Sequence, residues 1–220
     1  MKREALPRPV PSRWKAGRRY PVIGLTGPMC AGKNVAGKIL EGRGCAVIDA
    51  DQVAHQALAD RASAVLDAFS AAAREKGIEL TAGDGSLDRR ALGALLFPDP
   101  ALLARHESII YPRITELLET FIDEHPDRPA VINAPLLHKS PILERCDFVI
   151  FIDAETPIRL FRAVRRDSLP IRQILARFSA QKHLFAQYLS KAVDIQRVYN
   201  RGNMRALEKQ LARLLSERGY

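Results

Sequence analysis

The stretch Gly27-Pro28-Met29-Cys30-Ala31-Gly32-Lys33-Asn34 has the residue types and spacing to hold a chain of phosphates. Gly27 and Gly32 permit tight turns that bring backbone N–H groups toward a ligand. Those groups, with the positive end of a following helix, make an anion site. Lys33 adds a point charge that can follow β- and γ-phosphates. The last residue of such loops is usually Ser or Thr, whose hydroxyl binds Mg²⁺. Here it is Asn34. Its amide oxygen is a hard enough ligand to contact magnesium directly or through water, or else it marks weakened metal binding. The bland alternative is a glycine-rich turn that binds nothing. A strand before the loop, a helix after it and the Gly-Lys pair argue against that.

The elements that must position this loop are legible around it. Tyr20-Pro21-Val22-Ile23-Gly24-Leu25-Thr26 is an apolar run that reads as a strand. Behind the loop, Val35, Ala36, Ile39 and Leu40 share one face of a predicted helix. Glu41-Gly42-Arg43-Gly44 stops that helix. Cys45-Ala46-Val47-Ile48 reads as a second short buried strand, ending in Asp49-Ala50-Asp51. In open parallel sheets ligands bind outside the carboxyl ends of the strands, which puts this acidic pair beside the loop. One carboxylate can take a proton from an attacking hydroxyl and the other can orient water around Mg²⁺. For both, helix N-capping is the alternative role.

Further strands are predicted at Pro129–Ala134, Asp147–Asp153 and, in broken form, over Ala192–Ile195 and Val198-Tyr199. Strands alternating with helices predict an α/β fold with a right-handed, five-stranded parallel sheet. Residues 56–126 read as mostly helical. Ala57, Leu58, Ala62, Val65, Leu66 and Phe69 form an amphipathic pattern with a break near Asp60, and a Gly-rich loop with an Asp84-Gly85 turn spans Gly77–Ser86. Thr156–Arg177 carries Arg159, Arg162, Arg165, Arg166, Arg172 and Arg177. Arg162 and Arg166 stand one helical turn apart and can face the same way; a basic surface with a local Glu155-Arg159 pair is the plain alternative. Ser179-Ala180-Gln181-Lys182 extends the helix there, and Asn200-Arg201-Gly202-Asn203 turns into a last helix with Leu207, Leu211, Leu214 and Leu215 inward.

Composition narrows the field. The chain has 220 residues, enough for one α/β domain with insertions. No apolar run approaches the roughly 20 residues of a membrane span, and Met1-Lys2-Arg3-Glu4 does not open a secretory signal. A cytoplasmic protein is expected. Cys30, Cys45 and Cys146 are odd in number and far apart, so neither a disulfide framework nor a zinc site is suggested. A net charge of +9 suits a protein that handles polyanions. The basic residues match no nucleic-acid motif, so a small phosphorylated ligand is favoured over nucleic acid. Residues 1–19 read as an irregular basic arm broken by Pro7, Pro9 and Pro11, with Trp14 able to dock it.

Val22–Gly27, the Gly32-Lys33 pair and Val47-Ile48-Asp49-Ala50-Asp51-Gln52-Val53-Ala54-His55 together resemble the dephospho-coenzyme A kinase family, and the resemblance runs from about Val22 to Leu215. It implies a P-loop NTPase fold: one kinase domain over 20–220, with a helical substrate-binding insertion at about 56–126 and a helical lid at about 155–190. It implies transfer of the ATP γ-phosphate to the ribose 3′-hydroxyl of dephospho-CoA with Mg²⁺ present. ATP would lie on Gly27, Cys30, Ala31, Gly32, Lys33, Asn34 and Val35. Asp51 matches the family's catalytic aspartate, and Lys33, Arg162 and Arg166 would complete the catalytic set. His55, Arg90, Tyr111, Pro135 and Leu136 match acceptor-side positions, Arg90 within Leu87-Asp88-Arg89-Arg90-Ala91-Leu92. Besides Asn34, two positions depart from the family. Tyr111 stands in Ile110-Tyr111-Pro112 where the family has His-Pro, and Lys139 follows Pro135-Leu136-Leu137-His138 where the family is acidic. A kinase for another nucleotide-like acceptor, and a nucleotide-binding protein without turnover, are the other two readings.

Overall fold

Val22–Thr26 forms β1, buried along its whole length. A run of apolar residues suits a strand covered on both faces, as the inner strands of a parallel sheet are. The computed structural model describes residues 20–166, 169–191 and 193–219; the basic arm with Trp14, and Ala192 of the expected fifth strand, lie outside the described residues. The other strands are β2 (Ala46–Asp49), β3 (Ala130–Asn133), β4 (Phe148–Asp153) and β5 (Ile195–Tyr199). They form one sheet in the order β2-β3-β1-β4-β5, with every pairing parallel. The loop that follows β1 therefore leaves from the middle of the sheet. The second strand was expected to be buried, and here the structure corrects the sequence. β2 is an edge strand, and each of its residues is half-buried.

Helix α1 (Lys33–Glu41) follows the loop and ends at Gly42. Its buried residues are Ala36, Gly37 and Leu40, while Val35 is 38% exposed. The inward face is thus centred between Ala36 and Gly37, and at about 100° per residue Val35 falls well off it. A Cβ at Gly37 would sit in ordinary van der Waals contact with Val47 and Leu25, at 3.6 and 3.7 Å, so this face of α1 lies directly on the sheet. Helix α9 (Met204–Glu217) adds Leu207, Leu211, Leu214 and Leu215 to the same core as Ala36, Leu40, Ile23, Leu25 and Ile150.

Residues Ala50–Thr120 form a compact unit of their own, and the rest of the described chain forms the other. The first contains α2 (Ala50–Asp60), α3 (Ala62–Glu75), α4 (Arg89–Leu96) and most of α5 (Pro100–Glu124). Its core holds Ala57, Val65, Phe69, Ala73, Leu80, Leu92, Leu95 and Ile110. The expected break near Asp60 is the Arg61 junction between α2 and α3. Asp88 caps α4 by accepting from the Arg90 and Ala91 amides at 2.8 and 3.0 Å. In the sheet unit, β4 leads into α6 (Thr156–Arg166), α7 (Ile171–Ala180) and α8 (Leu184–Leu189). Helix α7 stops at Ala180, so Gln181 and Lys182 form a turn where a continuing helix was expected. Among the described residues no helix is long and apolar enough to cross a membrane.

Candidate active site

The loop between β1 and α1 is set by backbone conformations that only glycine takes easily. Gly27 has φ +149° and Gly32 has φ +103°. A Cβ on Gly27 would lie 2.1 Å from the Ile152 carbonyl oxygen, and one on Gly32 would lie 2.2 Å from Asn200 Nδ2. Cys30 takes φ +61°, the one positive φ at a described residue other than glycine. That conformation costs about 1–2 kcal/mol and must be held by its surroundings.

Two arginines of α6 hold it. Arg159 is 9% exposed and donates from Nε to the Met29 carbonyl at 2.9 Å, with its guanidinium 4.3 Å above the Phe178 ring. Burial lowers its pKa from the usual arginine value, yet an arginine remains charged. Arg162 donates to the carbonyls of Cys30 and Ala31 at 3.1 and 3.3 Å and to Asn200 Oδ1 at 3.3 Å. Asn200 is buried and donates in turn to the Ala31 carbonyl at 2.8 Å. Arg166 lies exposed at the end of α6. The carbonyls of Met29, Cys30 and Ala31 are thus engaged from outside, while the Ala31 amide donates to the Pro28 carbonyl at 3.1 Å and the Met29 amide to Gln181 Oε1 at 2.7 Å. Lys33 reaches back to the Gly27 carbonyl at 2.9 Å. Gly32, the N-cap of α1, offers no side-chain cap, so the first amides of the helix suit a phosphate.

Asn34 is exposed, and its Oδ1 accepts from Asn133 Nδ2 at 3.2 Å. The same Nδ2 lies 3.5 Å from Asp49 Oδ2. Asp49 and Asn133 are register partners at the carboxyl ends of β2 and β3. Among the described residues no group of three His, Cys, Asp or Glu side chains forms a metal site. Magnesium in kinases is typically held by one or two protein oxygens plus phosphates and water. The Asn34 amide oxygen and the Asp49 carboxylate are hard donors of that kind, so the residues present fit the ion.

Below the loop, Thr26 Oγ1 lies 2.9 Å from the Tyr188 hydroxyl and 3.4 Å from the Pro135 carbonyl. The same phenol accepts from the His138 amide at 3.2 Å. Pro135 is half-buried and Leu136 is 46% exposed. Burial, then the charges of Lys139 and Lys191, push His138 below its ordinary pKa.

The remaining residues singled out from the sequence belong to the helical unit. Asp51 and His55 are exposed on α2, one turn apart, with Asp51 in its first turn. Arg90 is exposed in the first turn of α4. Tyr111 is 39% exposed on α5 and donates to Glu107 Oε1 at 3.3 Å. Burial, then the Glu107 charge, raises its pKa, so it stays a neutral phenol. The sequence reading missed the Asn133, Asn200 and Tyr188 contacts. For Asn133 a signal existed: a polar residue closing an apolar strand, at the strand end where ligands bind.

A lysine-bearing, glycine-bounded loop between the central strand of a parallel sheet and a helix defines a P-loop kinase. Comparison with known proteins gives the family. The model of the dephospho-CoA kinase family matches residues 21–200. The chain is 38% identical to the dephospho-CoA kinase of Treponema denticola over 90% of this chain and 91% of that one. It is 38% identical to that of Treponema pallidum, over 90% and 96%. A solved structure from Thermus thermophilus aligns with a TM-score of 0.74 at 28% identity, over 90% of this chain and 98% of that one. The dephospho-CoA kinase of Campylobacter jejuni shares the fold, with a TM-score of 0.59 at 20% identity over 90% and 97%. The chain belongs to the dephospho-CoA kinase family, whose members are ATP-dependent transferases.

Proposed function

We propose that this chain phosphorylates the ribose 3′-hydroxyl of dephospho-CoA in the cytoplasm, with its own residues in the following roles. The loop residues Gly27, Cys30, Ala31 and Gly32, the uncapped start of α1 at Asn34 and Val35, and the Lys33 ammonium hold the ATP phosphates. Asn34 would contribute an oxygen to Mg²⁺, which would supply charge neutralisation for the phosphates. Asp51 takes the proton of the acceptor hydroxyl. Arg162, now on the loop carbonyls, and Arg166 donate to the transferring phosphoryl oxygens as the lid shuts out water. His55, Arg90, Tyr111, Pro135 and Leu136 contact the acceptor. Most of the rate gain is positioning and electrostatics.

The observation that carries this reading is the phosphate loop, whose Gly32-Lys33 pair opens an α1 with no side-chain cap and whose carbonyls are bound by Arg159, Arg162 and Asn200. The roles of Asp51 and the acceptor-side residues rest on the family resemblance. The test is ADP formation from Mg-ATP with and without dephospho-CoA, with mass analysis of the product. Acceptor-dependent ADP and a product heavier by one phosphate are expected. Asp51→Asn is expected to lower kcat by about 10²–10⁴-fold with ATP affinity little changed, as loss of a general base does. Near-normal turnover removes Asp51 from that role. Tyr111 and Lys139 favour one second reading, a related nucleotide-like acceptor, which a panel of acceptors separates from the first.

A further inference from the structure

We infer that Asn133 is the positioning residue that makes Asn34 usable at a magnesium site, by turning its amide oxygen-first. The inference rests on the reading that Asn34 serves the ion. A serine or threonine hydroxyl at the end of a phosphate loop rotates freely and always presents an oxygen. An asparagine does not: one end of its amide is an acceptor and the other carries two donor hydrogens, which face a cation with the wrong polarity. Asparagine therefore replaces the hydroxyl only if something fixes which end points outward.

The structure holds that fixing group. Asn133 is 4% exposed at the end of β3. Its Nδ2 faces two oxygens, Asn34 Oδ1 at 3.2 Å and Asp49 Oδ2 at 3.5 Å. An ionised carboxylate only accepts hydrogen bonds, so Asp49 sets which end of the Asn133 amide is presented. The other Nδ2 hydrogen then selects the oxygen of Asn34. One lone pair of that oxygen is taken and the second is left for a cation or its water. Strand register fixes the series, because Asp49 lies opposite Asn133 and Asn133 opposite Leu25, one residue before the end of β1. Independently, Asn133 Oδ1 is buried with no hydrogen-bond partner among the described residues. A buried acceptor is rarely left so. Apolar strand ends would serve packing better here. An amide buried between Asn34 and Asp49 serves orientation.

The test reads binding rather than turnover. ATP affinity is measured by calorimetry with Mg²⁺ and with excess chelator, and Mn²⁺ binding to the ATP complex by electron paramagnetic resonance. In the unsubstituted protein the metal tightens ATP binding. Asn133→Leu and Asn133→Ser should each cut that gain about tenfold or more, the usual effect of removing a group that orients a metal ligand, with metal-free affinity unchanged. In an Asn34→Ser background the same substitutions should change the gain less than twofold, because a hydroxyl needs no orienting. An unchanged gain in both variants overturns the inference, as does an equal loss in the Asn34→Ser background. If Asn34→Ala itself leaves the gain intact, the magnesium role of Asn34 is wrong. If Asn34→Ala abolishes the gain while the Asn133 variants keep it, only the positioning role fails. Of the two, Leu keeps the volume and Ser keeps a polar group, so a folding defect in one leaves the other to decide.

Discussion

Replacing Tyr188 by Phe removes one oxygen and keeps the ring. The ring lies edge-on to His138 at 5.1 Å and to Phe151 at 6.0 Å, and it is 1% exposed, so its packing survives. What is lost is the hydroxyl that meets Thr26 Oγ1 at 2.9 Å and the His138 amide at 3.2 Å. A net hydrogen bond is worth about 1 kcal/mol, and an underpartnered buried group left behind adds to that, so the loss should be about 2–3 kcal/mol. For a chain of this size each kcal/mol shifts Tm by about 2–4 °C, giving a fall of about 5–10 °C. Thr26→Val keeps the shape of Thr26 and removes the partner hydroxyl. In a double-mutant cycle by thermal melting the two changes should couple by about 1 kcal/mol. Amide exchange at His138 should speed up in Tyr188→Phe and not in Thr26→Val. A Tm within about 2 °C of the parent, or strictly additive substitutions, refutes the claim that this phenol ties α8 to the root of the phosphate loop.

Gly27→Ala should abolish ATP binding in a calorimetric titration, because the new Cβ meets the Ile152 carbonyl at 2.1 Å in a strand that cannot yield. Gly44→Ala, with φ +86° and nothing within 4 Å, should cost only the left-handed strain of about 1–2 kcal/mol and keep affinity; equal behaviour of the two refutes the steric argument. Burial pushes the Cys45 thiol up to about 11 and, with the Asp147 charge, Cys146 up to about 12. An unfolded thiol ionises near 8.5, so between there and pH 11 the folded chain keeps protons that the unfolded chain releases. Stability should be full below about pH 8.5 and fall as pH rises, with a shallower fall of Tm in Cys45→Ala; a slope unaffected by that substitution counts against the thiol.

Much of this was legible because the signals are local. The phosphate loop announces itself through two glycines and a lysine between an apolar run and a helical stripe, and the sheet through apolar segments of strand length. What the chain does not print is who sits beside whom. β2 reads like the other strands, and only the strand order makes it an edge. Val35 reads as inward because the stripe was centred one residue too early, and Gly37, on the true inward face, carries no hydrophobic signal. Arg159 looked like the partner of Glu155 a turn away, yet it reaches the Met29 carbonyl 130 residues distant in sequence. Asn133 and Asn200 act through contacts 99 and 169 residues apart, which periodicity cannot report.

The order of strands in the sheet also fixes when the protein can fold during its synthesis. β1, the central strand, pairs with β3 and β4, whose first residues leave the ribosome about a hundred residues later. At about 5–20 residues per second that interval is on the order of 5–20 s. Throughout it the apolar faces of β1 and α1 have no sheet to join, and they are natural clients for a chaperone. The stretch made in the meantime, Ala50–Thr120, carries its own core and depends on contacts within itself. The helical unit is therefore expected to take shape on the ribosome first, and the phosphate loop, which emerges before it, to become competent last.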